Sequence, residues 1–133
     1  RRLWGRVAGE LEEVATDRGP AWLRAGDVAA LAAPPQARGV RLIPPGDPYL
    51  QKPNRPALAP DEALRKRLFR PVASPGAVLQ DGRLAGLWRA KAKGRRVAVE
   101  IEPLGRLRRA EVEGEAERVA ALRGARDVAV VVQ

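Results

Sequence analysis

The stretch Arg83–Glu102, RLAGLWRAKAKGRRVAVEIE, carries six positive charges, and five of them (Arg89, Lys91, Lys93, Arg95 and Arg96) fall within eight residues. Side chains of this kind at this density hold anions; their chemistry is electrostatic rather than covalent. A second basic run, Arg65, Lys66 and Arg67, with Arg70 close behind, lies some twenty residues upstream. The placement of charge over the whole chain makes the same point. Residues 51–109 hold 15 basic and 5 acidic groups, against 7 and 6 in residues 1–50 and 3 and 5 in residues 110–133. The net charge of +9 therefore resides in the middle segment. The basic residues are 21 Arg and 4 Lys, which fits a gene of high GC content, but a uniform compositional bias would not segregate charge in this way. A basic region attracts polyanions, of which nucleic acid is the default.

Covalent chemistry has little to work with. The 133 residues include no His and no Cys, so the commonest general base, the commonest metal ligand and any disulfide framework are missing. Ser74 is the only serine and has no imidazole to activate it. Glu111, Glu113, Glu115 and Glu117 read as the surface of a helix. Asp47, in PPGDPY, reads first as the residue that orders a Pro-rich turn and only second as a catalytic carboxylate. The GxG patterns lack the strand-to-helix setting of a phosphate loop. No cofactor and no metal are expected. No apolar run reaches the eighteen or so residues of a membrane span.

The elements that must present these charges are read from periodicity. Leu3, Trp4, Val7, Ala8 and Leu11 recur at helical spacing. Asp17-Arg18-Gly19 is a turn signal between Val14–Thr16 and Ala21–Leu23, which predicts a hairpin; one long helix running to Thr16 is the alternative. Gly26–Ala33 predicts a short helix with Asp27 as its N-cap, ended by Pro34-Pro35. Val40–Ile43 predicts a strand. Six prolines between Pro44 and Pro60 predict a connection without regular structure, either packed on the core or functional. Asp61–Phe69 predicts a helix capped by Asp61, with Leu64 and Leu68 inward. A meander of Ala77–Gln80, Arg83–Ala92 and Arg95–Glu102 follows, its first turn at Asp81-Gly82. Leu107–Arg123 predicts a helix with Val112, Ala116, Val119 and Ala120 inward. Asp127–Val132 predicts a wholly apolar, buried strand. Residues 1–33, 34–60 and 61–133 then form three regions of an α+β chain.

With the second meander turn at Lys93-Gly94, Lys91 faces Arg96 and Trp88 faces Val99. Gly86, Trp88, Ala90, Val97, Val99 and Ile101 share the core face, and Leu87, Arg89, Lys91, Lys93, Arg96, Glu100 and Glu102 the other. Lys91 opposite Arg96 is a like-charge pair, unfavourable unless an anion bridges it. Two readings stand: the tip touches phosphates, or the charges protect a sheet edge from aggregation. Aromatic residues for base stacking are nearly absent, so duplex phosphate contacts fit better than single-strand binding.

Three stretches carry a resemblance: RLIPPGDPYLQ at 41–51, RKRLFRPVASPGAVLQDGRLAGLWRAKAKGRR at 65–96 and VEIEPLGRL at 99–107. Together they resemble the C-terminal part of the winged-helix DNA-binding proteins related to the AlkZ and YcaQ DNA glycosylases, especially actinobacterial members. The resemblance implies the last helix and wing of a winged-helix module in the first 25 residues, and a small antiparallel β-barrel-like domain with flanking helices over Val40–Gln133. It implies double-stranded DNA as the partner, further winged-helix modules of a longer parent, and a place in the bacterial cytoplasm, at the nucleoid. Arg89, Lys91, Lys93, Arg95 and Arg96, then Arg65, Lys66 and Arg67, would contact DNA. Family glycosylases excise alkylated bases or unhook crosslinks with a Gln-x-Gln or Gln-x-Asp motif nearer the N-terminus. Here Gln36-Ala-Arg, Gln51-Lys-Pro and Gln80-Asp-Gly do not match it, so no catalytic residue carries over and the isolated chain is expected to be inactive. The start Arg1-Arg2 and the absence of Met lead to the same expectation of a piece of a longer protein.

Overall fold

The computed structural model describes residues 2–17 and 19–133. The chain forms two compact units, Arg1–Gln36 and Ala37–Gln133.

In the first unit, α1 (Arg2–Val7) runs into a 3-10 turn at Ala8–Glu10. Strands β1 (Leu11–Thr16) and β2 (Gly19–Arg24) then pair antiparallel, from Thr16 opposite Gly19 to Leu11 opposite Arg24. The hairpin is thus longer than expected, and the alternative of one long helix fails because Leu11 starts a strand. Of the expected turn, Arg18 lies outside the described residues. A second 3-10 turn, Ala25–Asp27, leads into α2 (Val28–Ala32); Asp27 precedes that helix, but its side chain makes no capping bond. The Trp4 and Trp22 rings meet edge to face at 5.7 Å, and each remains 49% exposed. None of the described side chains of this unit is buried.

The second unit is a five-stranded sheet in the order β3 (Val40–Ile43), β4 (Gly76–Gln80), β5 (Arg83–Lys93), β6 (Arg96–Pro103), β7 (Asp127–Val132). The first four strands form an antiparallel meander, but β7 pairs with β6 in parallel, reached by the crossover helix α5 (Arg109–Leu122). This corrects the barrel-like expectation. The sheet is open, with β3 and β7 at its edges, because α5 returns the chain to β6 rather than to β3. It also corrects the expectation that β7 is buried. As an edge strand it turns Val128 and Val130 to the core and leaves Val131 half exposed. The helix face of the sheet is one apolar cluster: Val40, Leu42, Val78, Trp88, Val97, Val99 and Ile101 against Val112, Ala116 and Ala120. Trp88 donates its indole N–H to the Ile43 carbonyl at 2.9 Å. Gly76 makes room for it, since a Cβ there would lie 2.2 Å from that indole nitrogen.

The opposite face is covered in part. There Ala77, Leu79 and Leu87 pack against Leu50 and Leu68. Leu68 belongs to α4 (Glu62–Leu68), whose N-cap Asp61 accepts the Leu64 N–H at 2.7 Å. Leu50 belongs to the Pro-rich segment, which is more regular than its prolines suggested. It folds into 3-10 turns at Pro48–Leu50 and Lys52–Asn54 and the single helical turn α3 (Arg55–Leu58). Each has a proline in its first two positions, where no intrahelical N–H is required.

Candidate nucleic-acid interface

The charged hairpin is β5–β6. Its connection is Gly94-Arg95, with Lys93 paired to Arg96. Gly94 holds φ +60°, the left-handed backbone at the first central position that a type II′ turn requires. The expected turn placed Gly94 second, so every cross-strand pair slides by two residues. A slide of two preserves the faces. The pairs change: the like-charge pair is Lys93 with Arg96, and Arg89 stands opposite Glu100. Lys91 stands opposite Ala98 and reaches diagonally to Glu100, Nζ to Oε1 2.6 Å.

Coverage by α4 decides how far the outer face is apolar. Leu87, placed by parity among the charges, is only 4% exposed because it sits in the cluster beneath Leu68. From Arg89 outward the cover is gone, and Lys91 to Arg96 are all exposed. Lys93 and Arg95, at the tip, make no ion pair among the described residues. Arg96 contacts Asp127, Nε to Oδ2 3.3 Å. Arg89 donates from Nη1 to the Ala73 carbonyl at 2.7 Å.

The three expected contacts on α4 go different ways. Arg65 turns back on its own helix entrance, donating to the carbonyls of Ala59 at 2.8 Å and Pro60 at 3.1 Å. Lys66 pairs with Glu62 one turn earlier, at 2.7 Å. Arg67 reaches the sheet and forms an ion pair with Glu102 of β6. It thereby joins Arg70, Arg89, Glu100 and Glu102 around a depression of about 190 Å³ also lined by Leu87 and Trp88. The part played by Glu100 and Glu102 was not read from the sequence, although their period-two spacing from Arg96 places them on the charged face.

A second polar cluster also escaped sequence reading. Asp81 and Gly82 hold φ +51° and +77°, the type I′ signature of the expected turn. The Asp81 carboxylate accepts both terminal nitrogens of Arg108, at 2.7 and 2.8 Å, and the Gly39 N–H at 2.9 Å. The Arg108 fork and then the Gly39 N–H lower its pKa from the ordinary 3.8 to about 2. Arg108 continues to Glu111, Nε to Oε1 2.6 Å. This network ties the start of β3 to the start of α5 and braces the sheet at the end away from the charged tip.

The remaining candidates have structural partners. Asp47 accepts the Tyr49 N–H at 2.8 Å and caps a 3-10 turn. Ser74 donates to the Arg70 carbonyl. Glu111, Glu113 and Glu115 pair with arginines of α5 or its N-cap. Among the described residues no group of three or more acids could hold a metal, and no helix is long and apolar enough to cross a membrane.

No curated protein gives a significant match. A solved structure does: Streptomyces sahachiroi DNA glycosylase AlkZ, with a TM-score of 0.74 and 26% identity over the full length of this chain. The chain spans 36% of the length of that relative. The family model described as DNA glycosylase AlkZ-like matches residues 1–122, which is most of the sequence. The chain belongs to the AlkZ-like DNA glycosylase family.

Proposed function

We propose that this chain is a duplex-gripping region of a DNA-glycosylase-like repair protein, holding backbone phosphates with the β5–β6 hairpin. The observation that carries the reading is the tip itself. Lys91, Lys93, Arg95 and Arg96 project beyond the covered part of the sheet, and Lys93 and Arg96 stand opposite each other as a like-charge pair. Such a pair favours a site that an external anion completes. Arg67 is a secondary contact; Arg65 and Lys66 contribute long-range charge. Base-specific contacts are not expected, because phosphate neutralisation carries no sequence information.

In this reading the first unit is the last helix and wing of a winged-helix module. Its exposed Trp4–Trp22 pair and the lack of buried side chains among its described residues support further modules of a longer parent covering it. Excision of alkylated or crosslinked bases would belong to that parent, since no Gln-x-Gln or Gln-x-Asp motif occurs here. The test is fluorescence anisotropy of a labelled duplex at about 50 and 200 mM salt, a range over which several phosphate contacts lose orders of magnitude in affinity. Binding should weaken steeply with salt and fail when Arg89, Lys91, Lys93 and Arg96 are changed to Glu. An unchanged salt slope in that variant would remove the hairpin from the contact, and no binding at the lower salt would reject the reading for this chain.

A further inference from the structure

Two cations on this face are already engaged by acids of β6. Arg67 of α4 pairs with Glu102, and Lys91 with Glu100. Between them lies Arg89, opposite Glu100 in the register. Its one hydrogen bond among the described residues, to the Ala73 carbonyl, is to a neutral group, so it orients the guanidinium without cancelling its charge. Ala73 holds φ +52°, a left-handed conformation that costs a residue with a Cβ, and such strain concentrates at binding sites. Arg70, exposed on the rim, has no ion-pair partner among the described residues.

We propose that the depression walled by Arg67, Arg70 and Arg89 is a subsite for one nucleic-acid phosphate, and that Glu102, paired with Arg67, and Glu100, which lines the depression opposite Arg89 and holds Lys91, keep it closed to anions until that phosphate displaces them. The inference rests on the reading above, that this face meets nucleic acid, and adds a self-competing site to it. Three arginines line a depression of about 190 Å³. Their planar forks match phosphate and carboxylate oxygens alike. A glutamate already in place therefore stands where a phosphate would bind. The Arg67–Glu102 pair has both side chains more than 40% exposed, so exchange for a stronger, more highly charged acceptor needs no unpacking. Two unpartnered cations at the tip make first contact, and the subsite is filled afterwards at the expense of the internal acids.

The experiment compares duplex binding by the wild-type chain, Glu100→Gln, Glu102→Gln, the double variant and Glu117→Gln. Glu117, exposed on α5 and unpaired among the described residues, changes net charge equally without touching the depression. The expected result is several-fold tighter binding by the double variant, with a salt slope steeper by about 0.9 for each phosphate newly engaged. Adding Arg70→Gln should remove that gain. Equal gains from Glu117→Gln would overturn the inference in favour of a general charge effect, as would no gain at all. If the double variant loses its far-ultraviolet dichroism, the single Glu102→Gln variant decides by the same criteria. Steep salt-dependent binding by the wild type with unchanged glutamate variants rejects this inference alone; absence of binding by every variant rejects the underlying reading as well.

Discussion

The two faces of the β5–β6 pair are built from alternate residues of the same strands, and they meet opposite surroundings. Trp88, Val97, Val99 and Ile101 point to α5 and are at most 3% exposed. Their neighbours Arg89, Lys91, Arg96, Glu100 and Glu102 point the other way, where α4 covers the sheet only as far as Leu87. Because side chains alternate strictly along a strand, one parity can be fixed by packing while the other varies freely. In the proposed reading, stability and recognition share a hairpin without sharing a residue.

Substitutions on the packed parity should have the largest effect. Ile101→Ala, at a fully buried position, is expected to cost about 2–5 kcal/mol, read as a lower urea midpoint; the same change at Lys91 should stay within about 0.5 kcal/mol. Comparable losses at both positions would abolish the distinction. A second expectation concerns the bracing network. A carboxyl whose folded pKa is depressed stabilises the fold above its unfolded pKa, and that contribution is lost as pH falls through the folded value. Asp81, lowered from 3.8 to about 2, should therefore give the wild type a loss of stability between those two values that Asp81→Asn lacks. Thermal melts at a series of acid pH values check the sign. The smallest effect is expected at the tip. Lys93→Glu replaces a like-charge pair with an attractive one and should raise stability by about 0.2–1 kcal/mol while weakening duplex binding. A stability loss there would mean that Lys93 is more than a solvated partner of Arg96.

The meander was legible because its signals are local. Asp81-Gly82 specifies a tight turn by its backbone, and Asp61 caps a helix three residues away. The face assignment of the hairpin survived a wrong register because the slide was by two. The register itself was harder to see. Lys93-Gly94 and Gly94-Arg95 are both two-residue turns, and what favours the second is Gly94 at the first central position with φ +60°. The open sheet was hidden for a different reason. DVAVVV reads as buried by composition, yet whether a strand is central or at the edge depends on where a crossover delivers it. The site was half legible. Basic residues announce themselves by type, but Arg65 and Arg67, two residues apart on one short helix, end on a carbonyl and on a partner strand respectively. Nothing in their spacing separates those fates.

The parallel pairing of β7 also sets an order of assembly. The tight turns of β4–β5–β6 join neighbours in sequence, whereas Arg96 meets Asp127 across the whole of α5 and Val40 meets Gln80 across the Pro-rich segment and α4. Loop closure of that length is paid before any β6–β7 contact forms, so such pairing is slow compared with hairpin closure. The β4–β5–β6 strands should then be the folding nucleus, with β3, α5 and β7 docking late, and the outer amides of β7 should exchange with deuterium long before those of β5. During that interval the β6 edge and the valines of both strands are exposed on a nascent chain, which makes the final crossover the step most open to aggregation.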